Sequence, residues 1–226
     1  MSEKPVCLIL GAGGGIGYSL ARQWAREGHQ VIITRRSALS KEETEKEFGP
    51  GVVAMQCDVS NKDDMEKMVD DVENKFGPVA TMLYNAGNGV FKTYDNVTLA
   101  EFERCFRINT TGLLIASQIV CPRMVRRGGG VVGVTGATAS LRGKPFTACF
   151  TPAKAAQRML AQSLARDLGP KNIHVFYAII DGSVQAGGGP EHMNPDNIAQ
   201  SYWHLANQQS SSWTFELDLR PFAENW

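Results

Sequence analysis

A glycine-rich turn between an apolar run and an amphipathic run constrains the fold of this chain more than any other feature. The turn, GAGGGIG, spans residues 11–17. Residues 6–10 before it predict a short buried parallel strand, and residues 16–27 after it carry apolar side chains at helical spacing. A strand that continues through such a turn into a helix directs backbone N–H groups and the positive end of the helix dipole at one point, which favours a pyrophosphate.

The spacing of the glycines narrows the type of phosphate site. The pattern is GxxxGxG, formed by Gly11, Gly15 and Gly17. The GxGxxG fingerprint would need a glycine where the chain has Ile16, and a P-loop would need Lys and Ser or Thr after its last glycine. The turn predicts a dinucleotide site. The alternative is a strand–helix turn whose glycines serve only the fold.

Composition indicates one ordinary α/β domain. The chain has 226 residues, and its 43% hydrophobic content suits a sizeable core. Lys and Arg number 23 and so do Asp and Glu, so no net charge draws the chain to nucleic acid or to an anionic membrane. No apolar run reaches the roughly 20 residues that span a bilayer, and the N-terminal MSEKPV lacks the character of a secretory signal. We expect a cytoplasmic protein that binds neither nucleic acid nor a membrane.

The cysteines and histidines do not form a metal-binding pattern. The five cysteines are odd in number and scattered, and the four histidines do not cluster. We expect reduced, mostly buried thiols and no metal site.

Strand and helix patterns alternate, which is typical of a parallel sheet covered by helices on both faces. The sequence therefore predicts a doubly wound, three-layer α/β/α domain over residues 1–226, with no clear element between Asp181 and Pro195. Predicted strands cover residues 6–10, 31–34, 52–56, 79–84, 131–135, 173–180 and 213–219, and predicted helices cover 16–27, 40–48, 62–76, 99–127 (a short helix, then a long one), 151–168 and 194–207.

Two arginines follow the second predicted strand. In dinucleotide folds an acidic residue here accepts hydrogen bonds from the adenosine ribose, whereas arginine accommodates a 2′-phosphate. The chain has Arg35 and Arg36 and no acid at this position, which favours NADP(H) over NAD(H). The alternative is a solvated charge pair in a loop.

Two further polar residues have open roles. Asp58 follows the third strand, where it meets an adenine amino group or caps the next helix. Asn109 lies inside the long helical stretch, and Asn is mildly unfavourable there, so a buried or functional hydrogen bond is the hypothesis and a solvent-facing Asn the alternative.

In this order the motifs resemble the short-chain dehydrogenase/reductase family over nearly the whole chain. The resemblance implies a Rossmann-type fold that binds NAD(P) and transfers hydride at an alcohol or carbonyl. It also implies a homodimer or homotetramer, paired through helices that include the Ala-rich helix of residues 151–168. The matched cofactor-binding positions are Gly11, Gly15, Ile16, Gly17, Asp58, Asn85, Ala86, Gly87 and Lys154.

Ordinary members of this family use Asn, Ser, Tyr and Lys, with Tyr and Lys four residues apart. A spacing of one helical turn places the lysine beside the phenol. The lysine charge lowers the pKa of the phenol, and the amine holds the nicotinamide ribose. The tyrosine then transfers a proton while hydride moves to or from the cofactor. Asn109 and Lys154 match two of the four residues.

The other two positions differ. Counting back from Lys154 places Phe150 at the tyrosine position, and Ala137 falls at the serine position. A phenylalanine donates no proton, and loss of a positioned general acid costs about 10²–10⁴ in rate. Loss of an oxyanion donor costs roughly 10²–10³ more.

The segment after the sixth strand also departs from the family. Asp181-Gly182 stands where Pro-Gly is usual, and Ala186 falls where a threonine usually meets the nicotinamide amide. The substrate loop is shortened to residues 183–195. The phosphate-and-ribose half of the site is therefore predicted to be intact and the chemical half to be depleted.

Three replacements for the missing hydroxyls are open. Thr138 or Ser140 replaces the serine, a water on Lys154 replaces the phenol, or Cys149 donates the proton; a plain structural role is the alternative for each. Three hypotheses follow: an NADP(H)-dependent reductase of an unknown small-molecule substrate with altered proton delivery, a catalytically inactive NADP(H)-binding sensor or scaffold, and a relic that binds nothing.

Overall fold

The apolar runs form strands that are buried because helices cover both faces of the sheet. All five residues of the first strand are inaccessible to solvent. The structure, a computed structural model, describes residues 4–224. Its strands are β1 (Val6–Leu10), β2 (Gln30–Arg35), β3 (Val52–Gln56), β4 (Val79–Tyr84), β5 (Gly130–Thr135), β6 (Ile173–Ile180), β7 (Ser183–Val184), β8 (His192–Met193) and β9 (Glu216–Leu219). Its helices are α1 (Ile16–Arg26), α2 (Lys41–Phe48), α3 (Lys62–Phe76), α4 (Leu99–Phe106), α5 (Gly112–Arg126), α6 (Phe150–Leu168) and α7 (Pro195–Ala206).

The central sheet has the order β3-β2-β1-β4-β5-β6-β9, and every pair in it is parallel. Helices α3, α5 and α6 bury one face, while α1, α2 and α7 bury the other. The direction of winding reverses between β1 and β4, and ligands of such folds bind at the carboxyl ends of the strands at this point. The predicted doubly wound, three-layer fold is confirmed.

A π-helical turn separates α4 from α5 and contains Asn109. The turn spans Arg107–Thr111. Tyr84 at the end of β4 donates a hydrogen bond to the Ile108 carbonyl of this turn. A Cβ at Gly112 would lie 2.2 Å from the Tyr84 hydroxyl, so glycine makes room for this contact. Asn109 is fully buried, and the solvent-facing alternative is therefore wrong.

The segment after β6 has more structure than predicted. β7 and β8 pair in parallel, and the Gln185 N–H donates to the Met193 carbonyl at 3.0 Å. Gly187 and Gly188 have φ values of 82° and 67°, which allow the tight return. Two-residue strands are too short to produce an alternating sequence pattern, so the prediction of no clear element was wrong.

The final strand is shorter than the predicted 213–219. The Gln208 side chain accepts from the Thr214 N–H at 2.8 Å, and Trp213 stacks on His174 with ring centroids 4.9 Å apart. These side-chain contacts hold residues 213 and 214 outside the ladder. The Phe215 carbonyl accepts from the Tyr177 N–H at 2.7 Å, and the paired residues begin at Glu216.

Side chains cap the starts of α2 and α3, and the residue that caps α3 corrects a prediction. Ser40 and Glu43 form a reciprocal capping box at α2. Asn61, not Asp58, caps α3 by accepting from the Asp63 and Asp64 N–H groups. No helix in residues 4–224 is long and apolar enough to cross a membrane.

Candidate functional site

The glycines of the first turn divide into two kinds. Gly11 has φ of 86°, and a Cβ there would lie 2.4 Å from Ala86 Cα; a Cβ at Gly17 would lie 2.8 Å from Ala12 Cα. Any side chain at these two positions collides with backbone. Gly13, Gly14 and Gly15 have open space within 4 Å of their Cβ positions. The first kind serves the fold, and the second leaves an open cradle at the start of α1, as a pyrophosphate requires.

Asn85 fixes this turn to the neighbouring strands. Its Nδ2 donates to the Gly11 carbonyl at 2.7 Å, and its Oδ1 accepts from Thr135 Oγ1 at 2.9 Å. Tyr202 of α7 donates to the same threonine at 2.9 Å. Asn85 lines the cleft, but its amide already braces β1 against β5.

A cavity of about 360 Å³ extends from the turn over the ends of β2 and β3. Arg35 at its edge pairs with Glu47 of α2, with 3.1 Å between Arg35 Nη1 and Glu47 Oε2. Arg36 is exposed and forms no ion pair within residues 4–224. Sequence reasoning missed Arg104, which reaches the same cavity from α4; no local motif marks it, because only the fold brings α4 here.

Asp58 lines this cavity, and one of its carboxylate oxygens already accepts hydrogen bonds from the protein. Its Oδ1 accepts from the Ser60 N–H at 2.9 Å and from the Ser60 hydroxyl at 2.7 Å. The backbone hydrogen bond from Ser60 lowers the pKa of the Asp58 carboxyl, and the guanidiniums of Arg36 and Arg104 lower it further. Asp58 therefore presents an ionised carboxylate between two cations.

A second cavity, of about 710 Å³, adjoins the first and shares Gly13, Asn85, Gly87 and Asn88 with it. Together the two form a continuous cleft along the carboxyl edge of the sheet. Three phenylalanines, Phe91, Phe146 and Phe150, line the second cavity. The rings of Phe91 and Phe150 are 5.4 Å apart, and Phe91 is 61% exposed. This cavity therefore has an aromatic wall that is partly exposed to solvent.

Lys154 lies at the floor of this second cavity and is only 5% exposed. Its Nζ donates to the Thr135 carbonyl at 2.8 Å and to Gln157 Oε1 at 2.9 Å. Burial lowers the pKa of Lys154 to about 7, and the Cys105 thiol partly opposes this shift. The Phe150 ring centroid lies 5.8 Å from Nζ.

Asn109 converges with Lys154 beside Gly87. Its Nδ2 donates to the carbonyls of Asn88 and Cys105, at 2.8 and 2.9 Å. Its Oδ1 is buried and accepts no hydrogen bond from the described part of the chain. A Cβ on Gly87 would lie 3.4 Å from this oxygen and 3.9 Å from Lys154 Nζ. An unused acceptor and an amine donor thus meet at one point, which suits a ligand hydroxyl.

Ala137 and Phe150 both line this cavity, and neither carries a hydroxyl. Thr138 also lines it, but its hydroxyl donates to Asp181 Oδ1. Asp181 is buried at the end of β6, with Arg142 at 3.7 Å and Arg220 at 3.5 Å. The Thr138 proton is therefore committed to a carboxylate that two guanidiniums hold in place.

Two further replacement candidates, Ser140 and Cys149, lie outside the lining of this cavity. Ser140 is buried beside the Tyr177 phenol. The Cys149 thiol donates to the Glu101 carbonyl at 3.2 Å, and burial raises the pKa of Cys149 to about 12. Ala186 is exposed on the turn between β7 and β8. The Lys154 amine lines the same cavity as Ala137 and Phe150. Its pKa of about 7 lies close to neutral pH.

Comparisons of sequence place the chain among known dehydrogenases. A family model for short chain dehydrogenases matches residues 5–187. The 7alpha-hydroxysteroid dehydrogenase of Escherichia coli strain K12 is 32% identical over 172 residues, which are 74% of this chain and 67% of that protein.

Solved structures of dehydrogenases have the same fold over almost the full length of this chain. A short-chain dehydrogenase from Rhodopseudomonas palustris is 32% identical, with a TM-score of 0.86 over 96% of this chain and 98% of that one. An alcohol dehydrogenase from the archaeon Thermococcus sibiricus, solved in complex with 5-hydroxy-NADP, is 27% identical, with a TM-score of 0.87 over 99% of each chain.

Proposed function

Because this chain belongs to the short-chain dehydrogenase family of oxidoreductases, we propose that it is an NADP(H)-dependent reductase of carbonyl compounds with altered proton delivery. One observation carries the proposal: a single cleft joins the open glycine cradle to the point where Asn109 and Lys154 converge. The reverse reaction, oxidation of an alcohol, uses the same groups.

The residues present fit an extended dinucleotide. Gly13, Gly14 and Gly15 leave space at the start of α1 for the pyrophosphate. The buried Oδ1 of Asn109 suits a hydroxyl of the ribose next to the reacting ring, and the Lys154 amine lies beside it. When bound, the nicotinamide supplies a hydride; the chain orients it and provides the proton.

The charges at the other end of the cleft favour the phosphorylated cofactor. Arg35 is held by Glu47, so its charge is partly compensated. Arg36 and Arg104 line the same cavity, and no carboxylate of residues 4–224 is bonded to either. Guanidinium groups match the geometry of a phosphate. NADP(H) is therefore the proposed cofactor, with Arg36 as its main 2′-phosphate contact.

The second cavity favours a substrate with an apolar ring. Phe91, Phe146 and Phe150 would bury exposed aromatic surface against such a ring. The carbonyl oxygen would then face Ala137 and Lys154 rather than a serine and a tyrosine.

Calorimetric titration of the cofactor-stripped protein with NADPH, and then with NADH, tests the cofactor part. We expect micromolar or tighter binding of NADPH and much weaker binding of NADH. NADPH oxidation with a panel of aromatic ketones and aldehydes tests turnover. Absence of NADPH binding would contradict the proposal and support a fold relic.

A catalytically inactive NADP(H) sensor or scaffold is the second candidate. The missing hydroxyls at Ala137 and Phe150 and the engaged hydroxyl of Thr138 favour it. It predicts NADPH binding without turnover, and a free energy of unfolding raised by about 2.7 kcal/mol when NADPH is at 100 times its Kd. Turnover of any ketone in the panel would exclude it.

We also propose that the chain pairs with itself through α5 and α6. α5 exposes Leu114 and Val125, α6 exposes Met159, and an apolar groove of about 390 Å³ lies between the two helices. Light scattering at micromolar concentration should give a dimer or tetramer, and a monomer would refute this proposal.

A further inference from the structure

The Lys154 amine has one donor more than its protein partners use. An ammonium group has three N–H bonds. The Thr135 carbonyl and Gln157 Oε1 accept two of them, at 2.8 and 2.9 Å. Since Lys154 lines the second cavity of the cleft, the third N–H is available on the side where Ala137 and Phe150 offer no hydroxyl.

Gln157 holds the amine in this orientation. It lies one helical turn after Lys154 on α6 and is completely buried. Its Nε2 donates to the Asn109 backbone carbonyl at 2.8 Å, while its Oε1 accepts from Lys154. Gln157 therefore bridges α6 and the π-helical turn, and both ends of its amide are used.

We propose that Lys154 itself donates the proton to the substrate oxygen and that Gln157 is the positioning residue that leaves one N–H of the amine for this transfer. The inference rests on the proposed reductase function. It replaces the missing phenol with a group already at the floor of the cavity.

The chemistry balances with the groups named. Hydride addition to the carbonyl carbon carries two electrons and breaks the C=O π bond. The oxygen takes a proton from the Lys154 ammonium, which becomes an amine, and the products are an alcohol and the oxidised cofactor. A donor whose pKa lies near the working pH is suited to this role, and burial lowers the pKa of Lys154 to about 7.

The surroundings of the amine contain no competing carboxylate within residues 4–224. The titratable groups that face it are the Cys105 thiol of α4 and, across Gln157, the Tyr177 phenol of β6, 3.5 Å from Gln157 Oε1. Burial raises the pKa of Tyr177 to about 12, so this phenol stays protonated. Gln157 is thus the neutral acceptor whose replacement by an acid should change the pKa of the Lys154 amine most.

The first arm is an NMR titration of the cofactor-free protein labelled with [¹³Cε]lysine. We expect one of the ten lysine resonances, identified by its absence in Lys154→Met, to titrate near pH 7. Gln157→Glu should raise this midpoint by about one pH unit or more, because an adjacent carboxylate favours the ammonium. Gln157→Met, which removes the acceptor, should lower it. The same change at an exposed residue of α7, Gln200→Glu, should leave it unchanged.

The second arm measures the pH dependence of kcat for NADPH oxidation with the aromatic ketone that gives the highest rate. Reduction needs the ammonium, so kcat should be highest below the Lys154 midpoint and fall about tenfold per pH unit above it. In Gln157→Glu the fall should move to higher pH together with the NMR midpoint.

The outcomes are distinguishable. A Lys154 midpoint near 10, an unchanged midpoint in Gln157→Glu, or a kcat profile that does not follow the midpoint would overturn the inference while the cofactor proposal stands. Tight NADPH binding with no turnover would also overturn the proton-donor role. Failure to bind NADPH would overturn the proposed function itself, and the inference with it.

Discussion

The cleft has a nucleotide end, which is the first cavity with the glycine turn, and a reacting end, which is the part of the second cavity around Lys154. The two ends differ in what holds their geometry. At the nucleotide end the shape comes from the backbone: Gly11 and Gly17 are required by close approach to Ala86 and Ala12. At the reacting end the chemistry depends on side chains, and Ala137 and Phe150 remove two hydroxyls without disturbing the fold. The presence of glycine at positions 11 and 17 is therefore weak evidence that the turn binds a cofactor. The open positions at Gly13, Gly14 and Gly15 are stronger evidence, because nothing in the described protein fills that space.

The ends also differ in how their polar groups are satisfied. At the reacting end, Thr138 bonds to Asp181, Thr147 to Lys144 and Lys154 to Gln157. At the nucleotide end, the Arg36 guanidinium forms no ion pair with residues 4–224. Binding an anion to Arg36 breaks no ion pair within residues 4–224, whereas a substrate oxygen at the other end has few donors available. The comparison predicts strong cofactor binding and slow chemistry.

The largest expected effect comes from restoring the missing hydroxyls. Phe150→Tyr combined with Ala137→Ser should raise kcat for an aromatic ketone by about 10²-fold or more, because a phenol near Lys154 supplies a general acid and the serine an oxyanion donor. NADPH affinity should change little, since neither residue belongs to the glycine turn or lines the first cavity with Arg36 and Arg104. Stopped-flow measurement of NADPH oxidation would give kcat.

Phe91→Tyr is the matched control for this variant. It adds a phenol to the same cavity, with its ring 5.4 Å from Phe150, but not one helical turn before Lys154. A comparable gain from the control, or no gain from the double variant despite tight NADPH binding, would mean that the reacting end lacks more than two hydroxyls.

The next largest effect separates the two kinds of glycine. Gly11→Ala should lower the free energy of unfolding by roughly 2 kcal/mol or more, since φ is 86° and the new Cβ meets Ala86 Cα at 2.4 Å. Gly13→Ala meets no atom within 4 Å, so its stability should be close to that of the wild type, but its Cβ enters the cradle and should weaken NADPH binding. Urea unfolding and calorimetry would measure the two effects. Equal NADPH affinity in Gly13→Ala and the wild type would argue that the cradle is empty of cofactor.

The fold and the backbone-determined part of the site were predictable from the sequence. The alternation of apolar runs predicted the parallel sheet, and the spacing of Ser40 and Glu43 is that of the capping box observed at α2. The glycine pattern located the turn at the switch between β1 and β4. Each depends on residues that are close together in sequence, where spacing alone determines contact.

Contacts between distant segments were not predictable in the same way. Arg104 reaches the nucleotide cavity only because α4 crosses that edge, and the Arg35–Glu47 pair depends on how α2 packs. Asp181 was recognised as a departure from the family pattern, but its bond to Thr138 joins β6 to the loop after β5. Gln157 did leave a signal: a polar residue three positions after Lys154 on an Ala-rich helix shares its face.

The smallest effect tests the charges at the nucleotide end. Arg36→Met should weaken NADPH binding by about tenfold, which corresponds to the loss of one hydrogen-bonded charge pair, and should leave NADH binding unchanged. Arg35→Met is the matched control at the adjacent residue: its guanidinium is already paired with Glu47 at 3.1 Å, so we expect a smaller loss of NADPH affinity. Calorimetric titration of both variants with both cofactors measures the difference. A larger loss in Arg35→Met than in Arg36→Met would show that the ligand breaks the Glu47 pair and that the satisfied guanidinium, not the exposed one, recognises the phosphate.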